Sequence, residues 1–101
     1  MVTDDDDDLQ FCWDDAKAIS NVAKHGVSFD LATFVFDDPM RLERADVFAE
    51  GEYRSIVTGK VGDRIFTVVY TASEDDLYRI ISARLATPSE RNDYEQDLFQ
   101  S

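Results

Sequence analysis

Residues 11–29 read FCWDDAKAISNVAKHGVSF, and this stretch predicts a complete helix together with both of its ends. Asp14 is a good N-cap because its carboxylate accepts hydrogen bonds from the free backbone N–H groups of the first turn. Gly26 suits the left-handed residue that closes a helix, and Ser28 is placed to cap a second helix. Apolar residues that recur at helical spacing predict one apolar face: Trp13, Ala16, Ile19 and Ala23.

The predicted helix ends on the only histidine of the chain. Lys24 and His25 lie at its C-terminus, where the negative end of the peptide dipole favours cations, including protonated imidazole. A histidine in this position can titrate near neutral pH and transfer protons. The simpler interpretation is that both side chains only compensate the helix dipole, and the local pattern favours it.

The rest of the chain predicts a second short helix over Ser28–Phe36, which Asp37-Asp38-Pro39 stops. Strand patterns follow over residues 42–49, 53–58, 64–71 and 78–84, with a turn over 59–63 and an acidic loop over 73–76. Arg64–Thr71 is rich in β-branched and aromatic residues, so it is the expected central strand. Thr67 and Thr71 are interpreted as ordinary strand residues.

Thr87-Pro88-Ser89-Glu90 is a capping box with proline at the first helical position. It predicts a final helix in which Arg91, Tyr94 and Leu98 share a face. The expected fold class is α+β, with two N-terminal helices, a four-stranded antiparallel sheet and a C-terminal helix. The helices are expected to cover one face of the sheet.

The 101 residues carry 22 acids against 10 Lys and Arg, for a net charge of −12. The run Asp4–Asp8 predicts a disordered acidic tail over residues 1–8, followed by one domain over 9–101. Without those five acids the net charge is still −7. This argues against broad, non-specific binding to nucleic acid, although a local arginine cluster can still hold one or two phosphates. A high-salt cytoplasm, a basic partner and mimicry of a nucleic-acid surface all remain open explanations.

No apolar run is long enough to span a membrane, and no segment resembles a signal peptide. Cys12 is the only cysteine, so no internal disulfide is expected and a reducing cytoplasm is the default location. It is interpreted as a small buried residue. No metal site is predicted, because Glu74-Asp75-Asp76 lacks the spacing of a calcium loop.

Three arginines on the predicted strands are candidate phosphate ligands, because a guanidinium donates two parallel hydrogen bonds: Arg54, Arg79 and Arg84. Period-2 alternation places Arg79 and Arg84 on opposite faces of their strand unless a bulge intervenes. Glu52 and Arg54 are two residues apart, so they share a face and could bracket a substrate. A surface salt bridge is the alternative for that pair, and packing with Leu98 is the alternative for Tyr94.

Taken together, these segments resemble the BrnT family of bacterial type II toxins, ribonucleases related in fold to RelE. The resemblance spans about residues 11–94. It rests on these residues: Phe11, Trp13-Asp14, Lys17-Ala18, Asn21, Lys24–Phe29, Phe36, Asp38-Pro39, Glu52, Arg54, Val68–Thr71, Arg79–Arg84, Ala86, Glu90-Arg91 and Tyr94.

The resemblance implies an endoribonuclease that cleaves RNA without a metal or other cofactor and arrests growth. It implies His25 as general base or acid beside Lys24, Glu52 as the alternative base, and a phosphate grip by the strand arginines Arg54, Arg79 and Arg84. Arg91 and Tyr94 are the expected RNA contacts. The implied partner is a ribbon-helix-helix antitoxin, through which alone the protein would reach operator DNA. The alternative is a catalytically silent interaction protein, either an antitoxin co-repressor or an acidic nucleic-acid mimic.

Overall fold

A computed structural model describes residues 9–49, 51–73 and 76–100 of the chain. The acidic run Asp4–Asp8 and the loop residues Glu74 and Asp75 lie outside the described residues. The elements follow in this order: β1 (Gln10–Cys12), α1 (Asp15–His25), α2 (Phe29–Thr33), a 3₁₀ helix (Phe34–Asp37), β2 (Leu42–Ala49), β3 (Glu52–Val61), β4 (Arg64–Ala72), β5 (Leu77–Leu85) and α3 (Pro88–Gln100). None of the described helices is long and apolar enough to cross a membrane.

The sheet has five strands in the order β1-β5-β4-β3-β2. Strands β2 to β5 form the predicted antiparallel meander, whereas β1 pairs with β5 in parallel. The prediction of four strands is wrong because β1 has only three residues, too few to show an alternating pattern. The predicted turn over 59–63 is also too wide. Strand β3 continues to Val61, and the chain turns at Gly62, whose φ is +65°.

The hydrophobic core lies on the face of the sheet that is covered by α2 and the 3₁₀ helix. Its buried residues are Val27, Phe29, Ala32, Val35 and Phe36 above the sheet, and Val57, Phe66, Val68, Tyr70, Ile80 and Ala83 within it. The 3₁₀ helix packs closely on β3 at Gly59, where an added Cβ would lie 2.9 Å from Val35 Cγ1. The same Cβ would lie 3.1 Å from Val35 O, so any residue other than glycine would displace the 3₁₀ helix from β3.

Helix α3 lies on the opposite face, so the prediction that the helices share one face is wrong. Thr67 alternates with the core residues on β4, and its hydroxyl donates to Glu90 of α3 at 2.9 Å. Tyr94 is 3% exposed and donates to Asp38 Oδ2 at 2.6 Å, which ties α3 to the end of the 3₁₀ helix. The predicted capping box is confirmed, and its Glu90 carboxylate directs α3 toward this face.

The predicted ends of α1 are confirmed, since Asp14 accepts from Ala16 N–H and Gly26 has a φ of +70°. The apolar face predicted for α1 is largely exposed: Ile19 is 72% exposed, and Ala16 and Ala23 are exposed as well. The helix docks instead through buried Asn21. The Asn21 Nδ2 donates to Ala83 O at 2.7 Å and to Val27 O at 2.8 Å, and its Oδ1 accepts from Ala83 N at 3.2 Å. Asn21 thus pairs with the outer edge of β5 as a neighbouring strand would.

Candidate functional site

A β-bulge in β5 decides how the strand arginines are arranged. Val69 of β4 pairs with Ser82, whereas the next residue, Tyr70, pairs with Ile80. Ile81 is therefore an extra residue that reverses the alternation of side chains along β5. As a result, Arg79 and Arg84 both lie on the face that carries α3.

Glu52 joins two of the predicted arginines in one cluster. Its Oε1 accepts from Arg79 at 2.8 Å and its Oε2 accepts from Arg54 at 3.4 Å. The Arg54 side chain is 17% exposed, while those of Glu52 and Arg79 are 35% and 40% exposed, so a ligand can reach the cluster. A carboxylate held between two guanidinium groups occupies a position that a phosphate can take. We call these three residues the Glu52 cluster.

Arg84 does not join this cluster. It donates to both oxygens of Glu90, at 2.7 and 2.9 Å. These hydrogen bonds, with those from Thr87 N–H and the Thr67 hydroxyl, lower the pKa of Glu90 to about 2. Arg84 and Arg79 pair with residues four apart on β4, so the two arginines are roughly 13 Å apart along the sheet. The prediction treated Thr67 as an ordinary strand residue, but it is a buried member of this network.

His25 and Lys24 are exposed at the end of α1, away from the Glu52 cluster. They line a cavity with Lys17 of the same helix and with Ile81 and Ser82 of β5. Ser82 pairs with a residue two positions from the partner of Arg79, about 7 Å along the sheet. Lys17 was not predicted as a site residue, although its helical spacing to Lys24 places both on one face of α1.

The two predicted RNA contacts on α3 differ in their environment. Tyr94 is buried, and burial and its hydrogen bond to Asp38 raise the pKa of its hydroxyl. It therefore presents little surface to a ligand, and its observed partner is Asp38. The side chain of Leu98, its predicted packing partner, lies outside the described residues. Arg91 is exposed and lines a cavity with Lys60 and Arg64. Among the described residues, no three His, Cys, Asp or Glu side chains are grouped as metal ligands.

The comparisons with known proteins address the family. The sequence model of a family described as the ribonuclease toxin BrnT of type II toxin–antitoxin systems matches residues 13–90. The fold is similar to the crystal structure of the Brucella abortus ribonuclease toxin BrnT, with a TM-score of 0.63. That alignment covers 78% of this chain and 97% of the Brucella chain at 24% identity. A comparison with curated protein sequences finds no significant match. Since the family model covers most of the chain, this protein belongs to the BrnT family of ribonuclease toxins of type II toxin–antitoxin systems.

Proposed function

We propose that this protein is a metal-independent endoribonuclease of the cytoplasm that cleaves RNA and so inhibits translation and growth. The observation that carries the proposal is the Glu52 cluster, where one carboxylate holds two arginines on an accessible part of the sheet. In transesterification of RNA the 2′-hydroxyl attacks the adjacent phosphorus, so the site needs a base, cations for the phosphate and an acid. The Glu52 cluster contains candidates for the base and for the cations, and water is the proposed acid.

In the proposed reaction, Arg54 and Arg79 bind the non-bridging oxygens of the scissile phosphate and stabilise the charge that develops there. Glu52, released from the arginines by the phosphate, takes the proton of the 2′-hydroxyl. The bond from phosphorus to the 5′-oxygen breaks, and that oxygen receives a proton from a water molecule. His25 and Lys24 line a separate cavity and are assigned no proton transfer in this step. The products are a 2′,3′-cyclic phosphate and a 5′-hydroxyl.

Geometry favours Glu52 over His25 as the base, because a general base must lie within hydrogen-bond reach of the proton it removes. Glu52 contacts both candidate phosphate ligands directly, whereas His25 lines a separate cavity with Ser82 of β5. Arg84 is assigned no contact with the phosphate in this scheme, because both of its terminal nitrogens donate to Glu90.

A cleavage assay on a labelled RNA in the presence of EDTA tests the proposal. Glu52→Gln and Arg54→Gln are each expected to reduce the cleavage rate by roughly 10²-fold or more. Arg41→Gln is the control, because Arg41 is ion-paired with Glu43 outside the cluster. Mass spectrometry of the products should find the cyclic phosphate. Full activity in both cluster variants would refute the assignment.

The second candidate is a silent partner of the antitoxin, which is favoured by the pairing of all three predicted arginines with carboxylates. Inducing the protein alone separates the two functions. Growth arrest that Glu52→Gln abolishes supports the ribonuclease, whereas normal growth with confirmed expression supports the silent protein. The proposed antitoxin is a ribbon-helix-helix protein, and its gene should lie beside this one. Binding to operator DNA should require it.

A further inference from the structure

The cations of this chain fall into two sets. Five arginines each lie within 3.5 Å of a carboxylate oxygen: Arg41, Arg44, Arg54, Arg79 and Arg84. The other five Lys and Arg residues make no ion pair with a described side chain: Lys17, Lys24, Lys60, Arg64 and Arg91. In a chain with 22 acids, cations that have no carboxylate partner in the described part of the structure call for an explanation.

All five cations of the second set line three cavities that lie next to one another. The cavity that contains Lys17, Lys24 and His25 shares His25 with a second cavity, which Arg64 also lines. That second cavity shares Arg64 and Leu85 with a third, which holds the remaining two cations of the set. The three cavities therefore follow one another from α1, past the end of β5 and the β3–β4 turn, to the start of α3. We call this series of cavities the cation groove. Its lysines and arginines are Lys17, Lys24, Lys60, Arg64 and Arg91, and His25 also lines it.

The charge of the groove is opposite to that of the chain. Its lining carries five cations and two acids, Asp63 and Glu95, whereas the net charge of the chain is −12. Like charges in one groove repel each other. A ligand without charge would also remove water from these side chains without replacing it by an opposite charge, which costs free energy. A polyanion is the ligand that relieves both effects.

We propose that the cation groove binds the sugar–phosphate backbone of the RNA on one side of the cut, a proposal that rests on the proposed ribonuclease function. Grooves that bind single-stranded nucleic acid combine cations that follow the backbone with aromatic side chains that stack on the bases. This groove has the cations, so the proposed contact is with the backbone and not with the bases. A protein interface would be expected to be centred on aromatic anchors and poor in lysine, and this groove has three lysines and only one aromatic residue, the buried Phe66. Its α1 end reaches Ser82, about 7 Å along the sheet from Arg79, so bound RNA can continue into the Glu52 cluster.

Binding of a fluorescent, fully 2′-O-methylated oligoribonucleotide tests the groove without cleavage. For single strands, the slope of log K against log salt is about −0.7 per neutralised phosphate. Lys60→Gln with Arg64→Gln removes two groove cations, so the slope should become shallower by about 1.4. The matched control is Arg41→Gln with Arg44→Gln, which changes the net charge equally at two ion-paired arginines and should leave the slope unchanged.

The outcomes separate the groove from the proposed chemistry. An unchanged slope in the groove variant, or no binding by the unmodified protein, overturns the groove even if the protein cleaves RNA. A reduced slope supports the groove, even if cleavage assays then reject the Glu52 cluster. An unchanged slope together with a loss of antitoxin affinity would assign the groove to the antitoxin and overturn the proposal. Thermal melts of both double variants show whether either has lost its fold.

Discussion

Asn21→Ala should destabilise this protein more than any other single change on the surface of α1. The Asn21 side chain makes three hydrogen bonds to the backbone at a position that is 6% exposed. Alanine would leave the N–H and C=O of Ala83 and the C=O of Val27 without these partners. Each buried, unsatisfied group costs about 1–3 kcal/mol, and water entering from the neighbouring cavity would replace some of the lost bonds.

The expected loss in the free energy of unfolding is therefore about 2–4 kcal/mol, a large part of the 5–15 kcal/mol that is typical of a domain of this kind. Urea unfolding should show the midpoint fall by roughly 1–2 M at an unchanged slope. Hydrogen exchange at the Ala83 amide should accelerate. Ser20→Ala is the control, because Ser20 is exposed on the same helix and its loss should change stability by less than about 0.5 kcal/mol.

Equal midpoints for Asn21→Ala and Ser20→Ala would refute the reasoning. They would mean that the apolar contacts of α1 hold the helix in place without Asn21. The ring contact between Trp13 and Phe29, with centroids 5.8 Å apart, is the strongest candidate for that role. The same result would mean that Asn21 does not fix the position of Lys17, Lys24 and His25 relative to the edge of β5.

Three further predictions concern the face of the sheet that carries α3 and the hydrophobic core. The pKa of Glu90 is about 2 against an ordinary 4.5, so its stabilising effect is complete above pH 4.5 and is lost as the pH falls toward 2. Urea unfolding should therefore show wild type exceeding Glu90→Gln by roughly 2–3 kcal/mol at pH 6 and by less at pH 3. Tyr94→Phe should cost about 1–2 kcal/mol through the lost hydrogen bond to Asp38, while Tyr53→Phe, at an exposed ring, should cost nothing measurable. Gly59→Ala should lower the melting temperature, since the new methyl would lie 2.9 Å from a side-chain carbon of the 3₁₀ helix.

The ends of the helices could be predicted because a cap depends on residues within one turn of the chain. Asp14, Ser28 and the Thr87–Glu90 box make the hydrogen bonds that their spacing indicates. The orientation of α3 was not predictable in the same way, because Glu90 has a second partner, Thr67, on a strand 23 residues away. Nothing local distinguishes a strand threonine that binds a helix from one that faces water.

The site was predictable as a set of residue types but not as an arrangement. Alternation along β5 placed Arg79 and Arg84 on opposite faces, and one extra residue, Ile81, reversed that result. A bulge depends on how two strands pair, which a single strand pattern does not contain. The contact between Glu52 and Arg79 likewise joins β3 and β5 across the intervening β4. The spacing of Glu52 and Arg54 could therefore indicate a shared face but not the third member of the cluster.

The strong acidity of the chain, which at first argues against an RNA-binding protein, makes the distribution of its cations informative. Acids outnumber Lys and Arg by more than two to one, so a cation on such a surface lies in a field that favours pairing. Five arginines follow this expectation, and each has a carboxylate partner. The five cations without a carboxylate partner among the described residues all line the cation groove, where two acids cannot balance their charge. At physiological salt, charges more than about 8 Å away are largely screened, so bound RNA would respond to this lining rather than to the acidic exterior. Selective rather than general RNA binding is the expected consequence, because the acidic exterior repels a polyanion outside the groove and the Glu52 cluster.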